Sequence, residues 1–229
     1  MIRALWPIGI VALVALLGAC DESHHTYTPS RTDVIVGSGV VATEARPVAS
    51  FTAISVDHPA RAVVLWGGAE SLEVSAEDNV LPLVTSEVRA GRLFLSLAPH
   101  QGLSLTREIV HRVTVRELGD LEASGAARVE LRAVAVESLS LRLSGASSVS
   151  ADGRCDRLAL DLSGASRADA PGLHTRSALA VVSGASHGLL RVEDELVANA
   201  SGASVLEYFG DPHVTSTASG ASTIRRVGP

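Results

Sequence analysis

Six copies of Ser-Gly-Ala, at 124–126, 144–146, 163–165, 183–185, 201–203 and 219–221, constrain this 229-residue chain more than any other feature. Their glycines, Gly125, Gly145, Gly164, Gly184, Gly202 and Gly220, recur at spacings of 20, 19, 20, 18 and 18 residues. A period near 19 is short for an array of helical hairpins and right for one coil of a β-solenoid. The flanking residues agree. Two and four residues before each glycine stand mostly Leu, Val and Ala, as in Leu141 and Leu143 or Leu160 and Leu162, while the residue between them is Glu122, Arg142, Asp161, Val181, Asn199 or Thr217. Four residues after the glycine, Val129, Val149, Ala168, Gly188, Leu206 and Ile224 resume an alternating pattern. Alternation of period two on both sides of a fixed corner predicts strand, corner, strand in every repeat, and no window sustains a 3.6-residue period.

The corner residues suit that geometry. Glycine takes the positive φ that a sharp bend needs, and the alanine after it is small enough to stack on its copy one strand spacing, about 4.8 Å, away. The serines before the glycines (Ser124, Ser144, Ser163, Ser183, Ser201 and Ser219), and a second serine in five of the six copies, can bond the corner backbone. Stacking places like positions side by side, so Glu122, Arg142 and Asp161 in successive coils avoid like-charge contacts and can pair. Upstream of residue 120 the corner is absent, but Ala49–Val56, Ala62–Trp66, Leu72–Ala76, Val84–Val88, Arg92–Leu97 and Val110–Val115 read as strands punctuated by Gly67-Gly68 and Ala90-Gly91. They are expected to form earlier, less regular coils and an N-terminal cap.

The repeats resemble those of the head GIN domain family, which carries the description putative auto-transporter adhesin and has long stood as a domain of unknown function. The resemblance continues upstream. Ala45-Arg46-Pro47-Val48 leading into Phe51-Thr52-Ala53-Ile54 is similar to the family's opening strand. Ser75-Ala76-Glu77-Asp78-Asn79-Val80-Leu81-Pro82-Leu83 resembles its motif of an acidic pair, asparagine, aliphatic pair and proline. Gly125-Ala126-Ala127 departs from the pattern by losing the second serine. The resemblance implies an all-β fold, a right-handed, single-stranded parallel β-helix of about 18–20-residue coils. It brings no catalytic residues with it.

The first residues read as an address. Arg3 precedes an apolar run, Ala4–Leu17, that is shorter than the ~20 residues of a membrane span and suits a secretory leader. Leu17-Gly18-Ala19-Cys20 resembles the bacterial lipobox, which implies cleavage before Cys20 and lipidation of that cysteine. Residues 1–19 are thus read as a lipoprotein signal peptide, 20–43 as a polar tether and 44–229 as the β-helix domain. Asp21 favours retention at the inner membrane by a rule that varies among bacteria. Lipidation of Cys20 leaves Cys155 without an intramolecular disulfide partner, and it reads as a small buried or turn residue rather than a reactive thiol.

Composition excludes several functions. With 46% hydrophobic residues and a net charge of −6 the chain is not a disordered one. There is no basic block, so nucleic acid is not an expected partner. Only 3% of residues are aromatic, so the core must pack by regular stacking of small side chains. Loss of the leader leaves 18 arginines against 25 acidic residues, a formal charge of −7.

No catalytic signature is present. Gly-x-Ser-x-Gly and His-Glu-x-x-His do not occur, and His24-His25, His58, His111, His174 and His187 lack a compact ligand spacing, so neither a metal nor a cofactor is expected. The repeat does predict one polar wall. Three residues after the glycines stand Arg128, Arg167 and His187, and five after stand Glu130, Asp169 and Glu207. Three functional readings follow. The leading one is a non-enzymatic, lipid-anchored envelope module, an adhesin or scaffold, whose partners are the membrane through Cys20 and an envelope glycan or protein. A second is a carbohydrate-active β-helix enzyme that cleaves acidic polysaccharide with the carboxylates of this wall. A third is self-association through exposed coil ends, which Arg225, Arg226 and Pro229 would oppose.

Overall fold

A computed structural model describes residues 34–99 and 102–228. The leader, Cys20, His24-His25 and residues 20–33 of the tether lie outside the described residues. The described chain is an all-β parallel β-solenoid with one short 3-10 turn at Leu81–Leu83. Its regular part consists of stacked coils, and its N-terminal part contains the strands that close one end.

That N-terminal part comprises β1 (Ile35–Val36), β2 (Val41–Arg46), β3 (Ala53–Val56), β4 (Arg61–Trp66), β5 (Ser71–Glu77), β6 (Val84–Arg89), β7 (Arg92–Leu97), β8 (Leu103–Ser104) and β9 (Val110–Val115). The coils follow as β10 (Asp120–Ala123), β11 (Arg128–Leu143), β12 (Ser148–Leu162), β13 (Arg167–Val182), β14 (His187–Ala200), β15 (Val205–Phe209), β16 (His213–Ala218) and β17 (Thr223–Gly228). Strand pairing therefore begins at Ile35, inside the segment that the sequence suggests as a tether. β1 pairs with β8, and β2 pairs antiparallel with β5 along its whole length. The glycines and serine at 37–39 belong to a turn that wraps the Glu77 side chain, with the Gly39 N–H on its carboxylate at 2.7 Å.

From β10 onward, neighbours are parallel and in register at the spacing of the repeat. Leu121 lies beside Leu141, Leu141 beside Leu160, Leu160 beside Ala180 and Ala180 beside Ala198. These residues are buried, as are the columns through Leu139, Leu158, Ala178 and Leu196 and through Leu143, Leu162, Val182 and Ala200. Large residues in one coil are matched by small ones above. A Cβ on Gly188 would stand 2.9 Å from Leu206 Cδ1, and the Leu160 and Leu162 methyls lie just beyond. A narrow tube packs to interior density this way with no aromatic centre.

The strands are longer than strand-corner-strand predicts. β11, β12 and β13 run 15 or 16 residues from one Ser-Gly-Ala corner to the next. Each bends on the way through register shifts at Leu131/Val134, Ser150/Asp152 and Ala170/His174. The alternation slips there, as at the exposed pair Arg132-Ala133. These bulges use different residues in each coil, including Ala133 at φ +57 and Gly153 at φ +120, so no repeat in the sequence marks them.

The order of the first coils also differs from chain order. β3 and β4 pair with β10 and β11 on one side and with β7 and β9 on the other. The coil at 53–66 is thus clamped between one formed by 92–115 and one beginning at 120. Beyond β7 and β9 the pairing turns antiparallel, with β6 on β7 and β5 on β9. Antiparallel strands end the stack because their polarity offers no template for another parallel coil.

Each Ser-Gly-Ala corner continues the ladder. The Ala146 N–H donates to the Gly125 carbonyl at 2.8 Å, and Ala165, Ala185, Ala203 and Ala221 do the same to the glycine one coil earlier at 2.7–2.8 Å. All six corner glycines have φ between +67 and +75. From Gly145 to Gly220, an added Cβ would sit 2.5–2.8 Å from the preceding glycine's carbonyl oxygen. Conformation and close stacking therefore both require glycine. The second serine of each corner turns inward. Ser147, Ser166, Ser186 and Ser204 are buried, and the Ser147, Ser186 and Ser204 hydroxyls donate to the carbonyl of the first serine at 2.7–2.9 Å. Beneath the first corner, Asp57-His58-Pro59-Ala60 fills the same place in the stack, and a Cβ on Gly125 would lie 3.3 Å from the Asp57 carbonyl oxygen.

Gly164→Val should thus lower stability by about 1–3 kcal/mol, because it puts a branched side chain at φ +72 against the Gly145 backbone rather than between the stacked alanines. Thermal or denaturant unfolding measures this, and an unchanged midpoint would refute the stacked corner.

Candidate functional site

The register places all six residues of the expected polar wall on one face, in two adjacent columns. Arg61, Arg128, Ser148, Arg167, His187 and Val205 follow one another in the first. Val63, Glu130, Ser150, Asp169, Leu189, Glu207 and Arg225 follow in the second. Because these residues alternate with Val129, Val149 and Ala168, which are buried, their side chains face out.

The two ends of the wall are neutralised by neighbours. Glu130 accepts from Arg61 Nε at 2.6 Å and from Arg132 Nη2 at 2.5 Å, and Arg128 pairs with Glu108 at 2.9 Å. Glu207 accepts from Arg225 Nε at 2.8 Å and lies 3.0 Å from His187 Nε2. Hydrogen bonds from Arg61 hold the Glu130 carboxyl below the usual carboxylate range, and those from Arg225 and then His187 do the same for Glu207. Arg167 and Asp169, at the middle, are exposed and make no ion pair among the described residues. Stacked two coils apart, Glu130 and Asp169 stand about 9–10 Å from each other by strand spacing. Two concavities lie away from the wall. A pocket of about 560 Å³ is lined by Asp57, His58, Pro59, Leu97, Leu103 and Leu105, and a shallow groove of about 390 Å³ runs over Ala159, Leu179 and Val197. Among the described residues no three His, Cys, Asp or Glu side chains converge as metal ligands.

On the neighbouring face the charge column suggested by Glu122, Arg142 and Asp161 forms in part. Arg142 bonds Glu122 at 2.6 Å and Asp120 at 2.7 Å, and Arg92 from the earlier coil joins the same two acids. Asp161 has no ion pair there among the described residues. Cys155 is buried, its Sγ 3.6 Å from Thr175 Oγ1, and burial pushes its thiol pKa up, which makes it inert.

Two arrangements had no signal in the alternation. The Glu77-Asp78-Asn79 motif is a clasp on the first described residues. Asn79 donates from Nδ2 to the Val36 carbonyl at 2.8 Å and accepts from the Ser38 N–H, Asp78 accepts from the Ser38 hydroxyl, and Glu77 accepts from Gly39 and Thr106. These bonds, the Thr106 hydroxyl first, hold the Glu77 carboxyl low. The second is a buried histidine pair, His58 and His111, with Nε2 atoms 3.2 Å apart. The Leu95 carbonyl lies 3.1 Å from His58 Nδ1 and fixes the proton there, so His111 Nε2 donates to His58 Nε2. Burial, then the neighbouring His58 and Arg46, lower the His111 pKa to about 3, and burial lowers that of His58.

The pair implies a pH window. The unfolded chain takes up protons at both histidines near pH 6.5, while folded His111 does so only near 3. Stability is therefore intact above pH 6.5 and falls as the pH drops below it, by about 1.4 kcal/mol per pH unit for each histidine kept neutral. The depressed carboxylates act only lower, below their ordinary value of 4.5. His111→Leu should flatten the dependence of denaturant midpoint on pH between 6.5 and 4.5.

Fold and wall together define a class: a parallel β-solenoid that carries register-aligned, mostly polar columns of side chains along one flank. Within that class the chain belongs to the head GIN domain family. Residues 50–212 match the family described as "Putative auto-transporter adhesin, head GIN domain". Among solved structures, a putative adhesin from Bacteroides fragilis NCTC 9343 aligns with a TM-score of 0.70 at 18% identity, over 84% of this chain and 100% of that one. A putative adhesin from Parabacteroides distasonis ATCC 8503 aligns with a TM-score of 0.54 at 18% identity, over 85% and 100%. A putative lipid binding protein from the same strain aligns at 0.51 and 17%, over 85% and 99%. At such identities the likeness is one of fold. A comparison with curated proteins found no match.

Proposed function

We propose that this protein is a non-enzymatic, lipid-anchored envelope module that uses its polar wall to bind an extended envelope glycan. The observation that carries the reading is the wall itself: a flat face with Ser148, Ser150, Arg167 and Asp169 at its centre, repeating at strand spacing and unoccupied by internal ion pairs at Arg167 and Asp169. A polymer of hydroxyls and charges can meet such a ladder at several rungs, and many weak contacts sum along a chain. The adhesin descriptions of the family and of its solved relatives agree with a binding role. Anchoring at the periplasmic side of the inner membrane or at the outer membrane rests on Leu17-Gly18-Ala19-Cys20, with Asp21 favouring the inner one.

The polysaccharide-cleaving reading has less support. A glycosidase needs one carboxyl kept protonated and two carboxyls around a sugar-sized cleft. Glu130 and Glu207 are instead held ionised by arginines.

Two measurements test the proposal. Arg167→Ala with Asp169→Ala should weaken retention on purified envelope polysaccharide by about tenfold or more without moving the unfolding midpoint. Retention unchanged by the double substitution would overturn the wall, and retention on an envelope protein instead would replace the glycan. Separately, Cys20→Ser should move the protein from the membrane to the soluble fraction of the envelope. A protein that stays in the membrane fraction would remove the anchor.

A further inference from the structure

Eight large hydrophobic side chains are exposed among the described residues, and four of them fall within the eight positions 34–41. Val34, Val36, Val40 and Val41 are 49–60% exposed, whereas Leu65 and Val227 stand singly and Leu179 and Val181 share the outward side of β13, all four at 39–49%. Scattered single hydrophobics are ordinary on a soluble surface, and four at one end of the fold, Val34 and Val36 on one side of β1 with Val40 and Val41 where β2 begins, are more than that.

This cluster is held in place. β1 is paired to β8, and β2 to β5. The turn between β1 and β2 is fastened from below by Asn79 on the Val36 carbonyl and the Ser38 N–H, and by Glu77 on Gly39, while Asp78 N–H donates to the Val40 carbonyl at 2.8 Å. Val34 and Val36 alternate about Ile35, so they share the outward side of β1, and Ile35 is half-buried. β2 is also the outermost strand of its side of the sheet, at the end of the stack opposite β17.

The position of Cys20 indicates what lies opposite. Thirteen residues, 21–33, separate it from Val34, and a chain of that length reaches at most about 45 Å. If Cys20 carries acyl chains, the valine end is the part of the described fold tied closest to the bilayer. The exposed charges beside the cluster are mixed, Glu44 and Asp78 with Arg107 next to Thr106 at the clasp, so attraction to anionic headgroups does not single out this end and the apolar side chains do.

We infer that the valine cluster at 34–41 is a docking surface for the lipid bilayer, which seats the N-terminal end of the solenoid on the membrane that holds Cys20. The inference rests on the proposed anchor. Docking through this end would direct the opposite end, with β16 and β17, away from the bilayer and leave the polar wall uncovered.

The test uses the full-length lipidated protein with Cys155→Ser, labelled with a nitrobenzoxadiazole fluorophore at Val36→Cys or, as a control on another face, at Leu179→Cys. Both sites are exposed, and circular dichroism melts confirm that each variant folds. The protein is placed in phosphatidylethanolamine–phosphatidylglycerol vesicles that contain a nitroxide lipid. Docking predicts quenching at position 36 on the order of threefold greater than at 179, unchanged by 0.5 M salt or by the phosphatidylglycerol fraction. Equal quenching at the two sites, in protein shown by mass to carry the lipid and to sediment with the vesicles, would overturn docking and leave the anchor standing. Protein without the lipid by mass would overturn the anchor and docking with it. A concentration-dependent shift at position 36 without vesicles would make the cluster a contact between two copies and overturn the bilayer as its partner.

Discussion

The parallel hydrogen-bond ladder that runs unbroken through the corners is the interaction on which the structure depends. A bend in a strand usually leaves backbone groups unpaired, and each such group costs free energy when it is buried. Here the glycine carbonyl of one corner takes the alanine N–H of the next, and the inward serine serves the remaining carbonyls. The corner is as well paired as the strands, so coils can stack at strand spacing around their whole circumference. Everything else follows from that stacking: the narrow core of Leu, Val and Ala, the columns of like positions, and the flat flank.

Stacking also explains why the charges are arranged as they are. In a parallel stack a residue sits beside its own repeat, so a uniform charge column would repel itself. Arg142 between Glu122 and Asp120, and Arg61 beside Glu130, convert that hazard into pairing across coils. Exposed pairs of this kind each contribute under about 1 kcal/mol, and their effect is greater on register than on stability. At the middle of the wall Arg167 and Asp169 make no such pair among the described residues, and that is the part we propose a partner meets.

The regular coils were legible because glycine, alanine and serine each meet a requirement that recurs at the same place in successive coils. The sequence also located β7 and β9 to the residue. What it concealed has a common cause. The mid-coil bulges are built from whichever residues tolerate them, Arg132-Ala133 in one coil and Asp152-Gly153 in the next. The lowest corner of the same stack is Asp57-His58-Pro59-Ala60, which shares no residue type with Ser-Gly except alanine at a shifted place. His58 and His111 are 53 residues apart and meet only because β4 lies on β9. The glycine-serine turn at 37–39 read as linker because its partner, the Glu77-Asp78-Asn79 clasp, is some forty residues away. The six wall residues share a face, as their spacing required.

The clamped coil at 53–66 gives the molecule a direction of assembly. Its partner on one side, 92–115, comes from later in the chain, so the N-terminal third depends on contacts of larger sequence separation than the regular coils do. Every later coil adds one short, local loop to a template already present, so ordering can advance toward β17 like a zipper, one corner at a time. A secreted chain that enters the envelope N-terminus first would meet these demands in the same sequence. The antiparallel end closes one side to further parallel coils, so added repeats can be accommodated between the regular coils or on the far side.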